Sequence, residues 1–205
     1  MLFIDKNGIV DAERIKIKRF PGIERGLMAQ VNGIVVHQTD AATAQSTFNS
    51  YGDKGAHGAH LLIDKDGTIY QTASLLRVTN HVGRLKSRCI ATCNCSPTEL
   101  RLAMAVEHNT SQLSRHEHKK PWPERYPSNY DSIGIEIVGK SHEVPQKPGK
   151  PKEEPVYESV TGQQNAALQW LISELTDTLS IASNAVFRHP LLSKKNKTEA
   201  STARW

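Results

Sequence analysis

Three polar residues stand at the ends of apolar, β-branched runs or inside one: His37 in IVVHQTD, Glu136 in SIGIEIVG and His189 in VFRHP. Imidazole and carboxylate are the groups that ligate transition metals and exchange protons near neutral pH. Glu136 is the sharpest of the three. A carboxylate flanked by Ile135 and Ile137 is costly to bury unless it is paired or put to use. If one face of its strand borders a cleft, Glu136 points into it. A histidine at a strand end, taken singly, is as readily a satisfied polar residue. His57, His108, His116, His118 and His142 carry no role from their context, and a second metal site from His116 and His118 is the weaker reading of a polar surface segment. Cys89, Cys93 and Cys95 are packed into CIATCNC. Their odd number excludes complete internal pairing, and a zinc site built from them needs a fourth ligand from elsewhere. The segment reads as a loop with one disulfide or with three free thiols.

The elements that position these residues follow from periodicity. Gly33–His37 is an apolar run suited to a buried strand. Residues 60–63 and 68–71 flank Asp-Lys-Asp-Gly, in which Asp-Gly supplies the positive φ of a hairpin turn. Residues 133–138 form a third strand, with Ile133, Ile135 and Ile137 on one face and Glu136 on the other. Residues 185–187 form a short fourth. Helices are expected over 41–51, over 100–108 and, best marked, over 161–183. There Thr161 and Gln164 make a capping box, and Leu168, Leu171, Ile172, Leu175 and Leu179 form an apolar stripe that packs on the core. Residues 111–129 and 142–155, rich in charge and proline, read as surface loops, the first as a lid or substrate wall. The sum is a single α/β domain: a central mixed β-sheet flanked by helices, with residues 1–30 as a leader packing on it.

The 205 residues suit one domain, with 38% hydrophobic and 23% charged residues. No apolar run is long enough to span a membrane. The charged N-terminus lacks the pattern of a signal peptide, so synthesis in the cytoplasm is expected. The net charge of +5 favours polyanions such as nucleic acid, anionic lipid or an acidic cell wall. The basic residues are scattered, so charge alone singles out no specific nucleic-acid partner.

The pieces IVVHQTD, GAHLLIDKDGTIYQ, SIGIEIVG and H-x7-K-x-E occur in the order seen in N-acetylmuramoyl-L-alanine amidases of the amidase-2 type. The chain resembles that superfamily, which includes the peptidoglycan recognition proteins, from about Gly33 to Glu199. The resemblance implies a Zn2+ site on one side of the sheet, built from His37, His189 and a third ligand. Where the family usually has Asp, this chain has Glu199. After His189 it contains no His, Cys or Asp, so a third ligand in that tail falls to Glu199. Glutamate ligates zinc at about 2.0–2.2 Å, though its longer arm needs a shifted backbone.

The same resemblance gives Glu136 the role of general base and Lys197 that of the cation beside the oxyanion. Lys197 sits in SKKNK, where a solvated lysine is the ordinary state. His60 is expected to line the cleft, and His81, in TNHVGR, to contact the substrate's sugar or peptide. The implied reaction is hydrolysis of the amide between N-acetylmuramic acid and L-alanine of peptidoglycan, by a monomer. Its expected setting is an antibacterial effector or lysis enzyme delivered to a target periplasm, with a cognate immunity protein as inhibitor. A cytoplasmic recycling amidase acting on anhydro-muropeptides is the alternative, and a binding module without activity a further one. A hydrolase of another amide finds no support in the motifs.

Overall fold

A computed structural model describes residues 1–146, 149 and 151–205. The chain opens with a small hairpin, β1 (Phe3–Ile4) and β2 (Val10–Asp11), followed by β3 (Ile15–Ile17) and β4 (Glu24–Leu27). The core strands are β5 (Gly33–Gln38), the hairpin β6 (Leu61–Ile63) and β7 (Ile69–Gln71), β9 (Ser132–Ile137) and β12 (Val186–Arg188). With β3 they form a six-stranded sheet in the order β12-β5-β9-β6-β7-β3. β12, β5, β9 and β6 run parallel, β7 turns back antiparallel, and β3 lies parallel to β7. This is the expected mixed sheet. The N-terminal segment does more than pack on it: β3 becomes its edge, and β4 pairs with β8 (Arg77–Thr79).

The pleat sorts the side chains. Ile34, Val36, Leu61, Ile63, Ile133, Ile135 and Ile137 share one apolar cluster with Leu168, Leu171, Ile172 and Leu175 of α5 (Gly162–Leu179). Val35 and Leu62, one residue out of step, enter separate clusters on the opposite face. Successive strand residues point to opposite faces, so His37 and Glu136 share the face away from α5. The capping box of α5 forms as expected, and buried Gln164 donates to Val138 O at 2.8 Å.

Helix α1 (Ala44–Tyr51) starts later than the periodicity predicts, because Thr43 is its N-cap. Helix α2 (Arg88–Thr92) was not foreseen; α3 (Pro97–Val106) starts earlier than expected, with Ser96 as cap and Pro97 next. Cys89 and Cys95 form a disulfide between them, and Cys93 is free and exposed. The expected loop over 111–129 is corrected: α4 (Thr110–His118) occupies its first half. Asn109 caps it, and Leu113, Ser114 and Glu117 are buried, a stripe hidden among the charges of SRHEH. From Lys119 onward the segment is irregular. In 142–155 the described residues hold no element beyond His142, which ends β10 (Ser141–His142); residues 147, 148 and 150 lie outside the described residues. β10 pairs with β11 (Val156–Tyr157).

Candidate active site

β5 and β9 pair so that His37 lies beside Glu136. β12 pairs with the other edge of β5, Arg188 opposite Val36, so the next residue, His189, opens the short α6 (His189–Leu192) beside His37. The C-terminal tail then folds back. Gln38 Oε1 accepts from the Ala200 N–H at 3.1 Å, and Arg188 Nε donates to Ala200 O at 3.0 Å. The chain neighbours of His37 and His189 thus grip the residue next to Glu199. A left-handed turn at Ala200, with φ 52°, completes the fold-back.

Three ligand atoms converge. His37 Nδ1 lies 2.8 Å from His189 Nδ1, which lies 3.0 Å from Glu199 Oε1. The third edge, His37 Nδ1 to Glu199 Oε1, is 3.6 Å. All three residues are buried. Two imidazole nitrogens and one carboxylate oxygen, all buried and converging, form a donor set that suits Zn2+ and leaves a coordination position open.

His81 decides how His37 presents itself. Its Nε2 lies 3.3 Å from Ser132 O, which can only accept, so Nε2 carries the proton. Its Nδ1 therefore accepts from His37 Nε2–H at 3.0 Å, leaving the His37 Nδ1 lone pair free toward His189 and Glu199. His81 is in turn held by its own N–H donating to Asn129 Oδ1 at 2.9 Å.

Burial and the nearby Glu199 push the Glu136 carboxyl up to about 8, with Lys195 opposing. Its Oε2 is buried without a hydrogen-bond partner. Burial also pushes the Glu199 carboxyl upward, but hydrogen bonds from His189 and His37 outweigh it and hold Glu199 well below the usual range. Burial, then the neighbouring His189, lowers His37. A cleft of about 520 Å3 opens over these groups, with His81, Tyr157 and Lys195 also on its wall.

Two expectations change. Lys197 is exposed and outside the cleft; Lys195, two residues earlier, lines it instead. The tail turns over the Asn196–Ala200 stretch, where Glu199 N–H donates to Asn196 O, so the extended spacing from His189 does not carry over to direction. His60 is fully buried and does not line the cleft. Its Nδ1 accepts from the Gly134 N–H at 3.0 Å and its Nε2–H donates to Arg77 O at 2.8 Å, making it a strut between β9 and β8. Tyr157 was missed: it reaches the cleft only because β10 and β11 pair, and no local signal marks it. His57, assigned no role, also lines the cleft. His116 and His118 do not converge: His118 Nδ1 donates to Ser114 O at 2.7 Å, while His116 pairs with Glu99 at 2.9 Å. Glu99, His116 and Glu117 do lie close together, but Lys120 already sits 3.0 Å from Glu99 and 2.6 Å from Glu117.

The sequence matches the amidase-2 family model, described as N-acetylmuramoyl-L-alanine amidase, over residues 27–202. Among solved structures it resembles a mutant endolysin from Bacillus subtilis, at 20% identity and TM-score 0.51, over 88% of this chain and 86% of that one. It also resembles an AmpD derivative carrying selenomethionine, at 16% identity and TM-score 0.54, over 96% and 90% of the two chains. The catalytic domain of XlyA matches at 22% identity and TM-score 0.50, over 88% and 87%. At these identities the structures speak for the fold. No curated protein matches the sequence significantly.

Proposed function

The chain belongs to the N-acetylmuramoyl-L-alanine amidase family, and from that premise we propose that its cleft uses zinc to cut the amide between N-acetylmuramic acid and L-alanine in peptidoglycan. The observation that carries the zinc reading is the convergence of His37 Nδ1, His189 Nδ1 and Glu199 Oε1 beside a partnerless Glu136 carboxylate. When bound, zinc supplies Lewis acidity toward the amide carbonyl and an acidified water. Glu136 takes the proton of the attacking water at its free oxygen and later delivers a proton to the leaving amine of L-alanine. An elevated carboxyl suits both halves of that exchange near neutral pH. Lys195, which lines the cleft with Glu136 and acts on it electrostatically, takes the place of Lys197 as the cation for the developing oxyanion. His81 keeps His37 in the tautomer that offers Nδ1.

The setting we propose is an antibacterial effector or lysis enzyme acting in a target periplasm, with a cognate inhibitor protein that plugs the cleft. The Cys89–Cys95 disulfide supports an oxidising site of action over cytoplasmic recycling. The test is digestion of Gram-negative peptidoglycan with and without a chelator, followed by mass spectrometry. Free stem peptides and peptide-less glycan, lost on chelation and restored by zinc, are expected. Intact wall with cleavage of small anhydro-muropeptides supports recycling instead, and binding without any cleavage leaves a recognition module.

A further inference from the structure

Beside the catalytic cleft lies a second cavity, of about 280 Å3, whose charged lining residues are Arg84, Lys86 and Lys194. Its other walls are Leu85, Thr110 and Leu113, so among the described residues no acidic side chain lines it. It is built by an isolated antiparallel bridge between Leu85 and Ser193, extended by Lys86 N–H donating to Leu192 O at 2.6 Å. Buried Leu85 and Leu192 pin the two segments to the apolar cluster around Val35. The residues alternating with Leu85, namely Arg84 and Lys86, are exposed, as is Lys194 on the facing segment. Among the described residues none of these three cations has a carboxylate partner. Lys86 Nζ donates to Pro190 O at 2.7 Å. Burial, together with the nearby Lys197, lowers the Lys86 ammonium from its ordinary value. Like charges held together without counter-charge favour an anionic ligand.

The cavity is continuous in sequence with the active site. Val82, Gly83 and Lys195 line the catalytic cleft; their next neighbours, Arg84 and Lys194, line the second cavity. In the substrate proposed above, the lactyl carboxyl of the sugar is consumed in the scissile amide. The ionised carboxylates therefore all belong to the stem peptide. We infer that the Arg84, Lys86 and Lys194 cavity is the subsite for stem-peptide carboxylates, so that the peptide leaves the scissile bond toward this cavity and the glycan lies away from it. The enzyme then prefers stems with free carboxylates over stems whose side carboxyls are amidated. The inference rests on the amidase reading of the cleft.

The test compares two disaccharide-tetrapeptides, one with free carboxylates and one amidated at the glutamate and diaminopimelate carboxyls. Wild-type protein loaded with zinc is expected to show a kcat/KM about five- to tenfold higher for the free acid, the scale of two or three exposed charge pairs. Rising salt shrinks that ratio. The double variant Arg84→Gln/Lys194→Gln is expected to bring the ratio to about one while keeping full zinc content, and to weaken binding of the released free-acid peptide by a similar factor. Equal cleavage of both substrates by the wild type overturns the subsite and leaves the amidase reading standing. So does a double variant that keeps the wild-type ratio. Cleavage of neither substrate overturns the amidase reading itself, and the subsite with it.

Discussion

At the scale of single residues, the metal site is a problem of orientation before it is one of affinity. His37 offers Nδ1 because His81 receives its other ring proton. The variant His81→Phe keeps the ring volume and removes the acceptor. It is expected to weaken zinc binding by about ten- to a hundredfold in competition with a chelator. His37→Ala is expected to abolish metal binding and cleavage together. Glu136→Gln is expected to retain the metal and lose on the order of a hundred- to ten-thousandfold in rate. Wild-type turnover by that variant would falsify the general-base role. Lys195→Ala is expected to lower kcat about a hundredfold, whereas Lys197→Ala, at an exposed position outside the cleft, leaves kcat unchanged. Glu136 also links stability to pH. Its folded pKa is raised to about 8 in the metal-free protein. The stability it contributes is complete below the ordinary carboxyl value near 4.5 and is lost as pH rises through about 8. Thermal melts of stripped protein should therefore fall between these limits in the wild type, and fall less in Glu136→Gln.

At the scale of elements, the site depends on how closely β9 lets other groups approach. A Cβ on Gly134 would stand 2.8 Å from the His81 ring and 3.0 Å from Ala59 Cβ. Gly134→Ala is expected to displace His81 and reproduce the zinc loss of His81→Phe, although residue 134 touches no metal ligand. The helix behind the sheet offers a contrast. Thr161→Ala removes the cap of α5 and is expected to cost about 1 kcal/mol in denaturant melts. Zinc affinity should not move, because α5 covers the other face.

For the whole molecule, two of the three candidate ligands come from the chain that follows the last strand, His189 at the start of α6 and Glu199 in the tail, and the third from β5. Arg188 and Gln38 hold that tail at Ala200. A metal joining His37 to His189 and Glu199 therefore ties the C-terminal segment to the centre of the sheet. Because zinc binds the folded state, a chelator should lower Tm, and by roughly 10 °C where free zinc stands about a thousandfold above its dissociation constant. A chelator that leaves Tm unchanged would count against a resident metal.

What the sequence determined by itself is what depends on local pattern. The apolar runs of β5 and β9, the Asp-Gly turn, the capping box at Thr161 and the order of His37, Glu136 and His189 are all local, and the sheet followed from them. Tertiary structure alone decided direction. Lys195 rather than Lys197 faces the cleft because the tail turns between Asn196 and Ala200, where it contacts Arg188 and, far away in the chain, Gln38. His60 became a strut and His81 a partner of His37 because Gly134 and Ser132, on a strand remote in sequence, supply the groups that each one meets. Tyr157 reached the cleft through a pairing across a segment with no periodicity. Local spacing specifies which face of an element a side chain takes; which partner waits there is set by long-range packing, and chemistry depends on the partner.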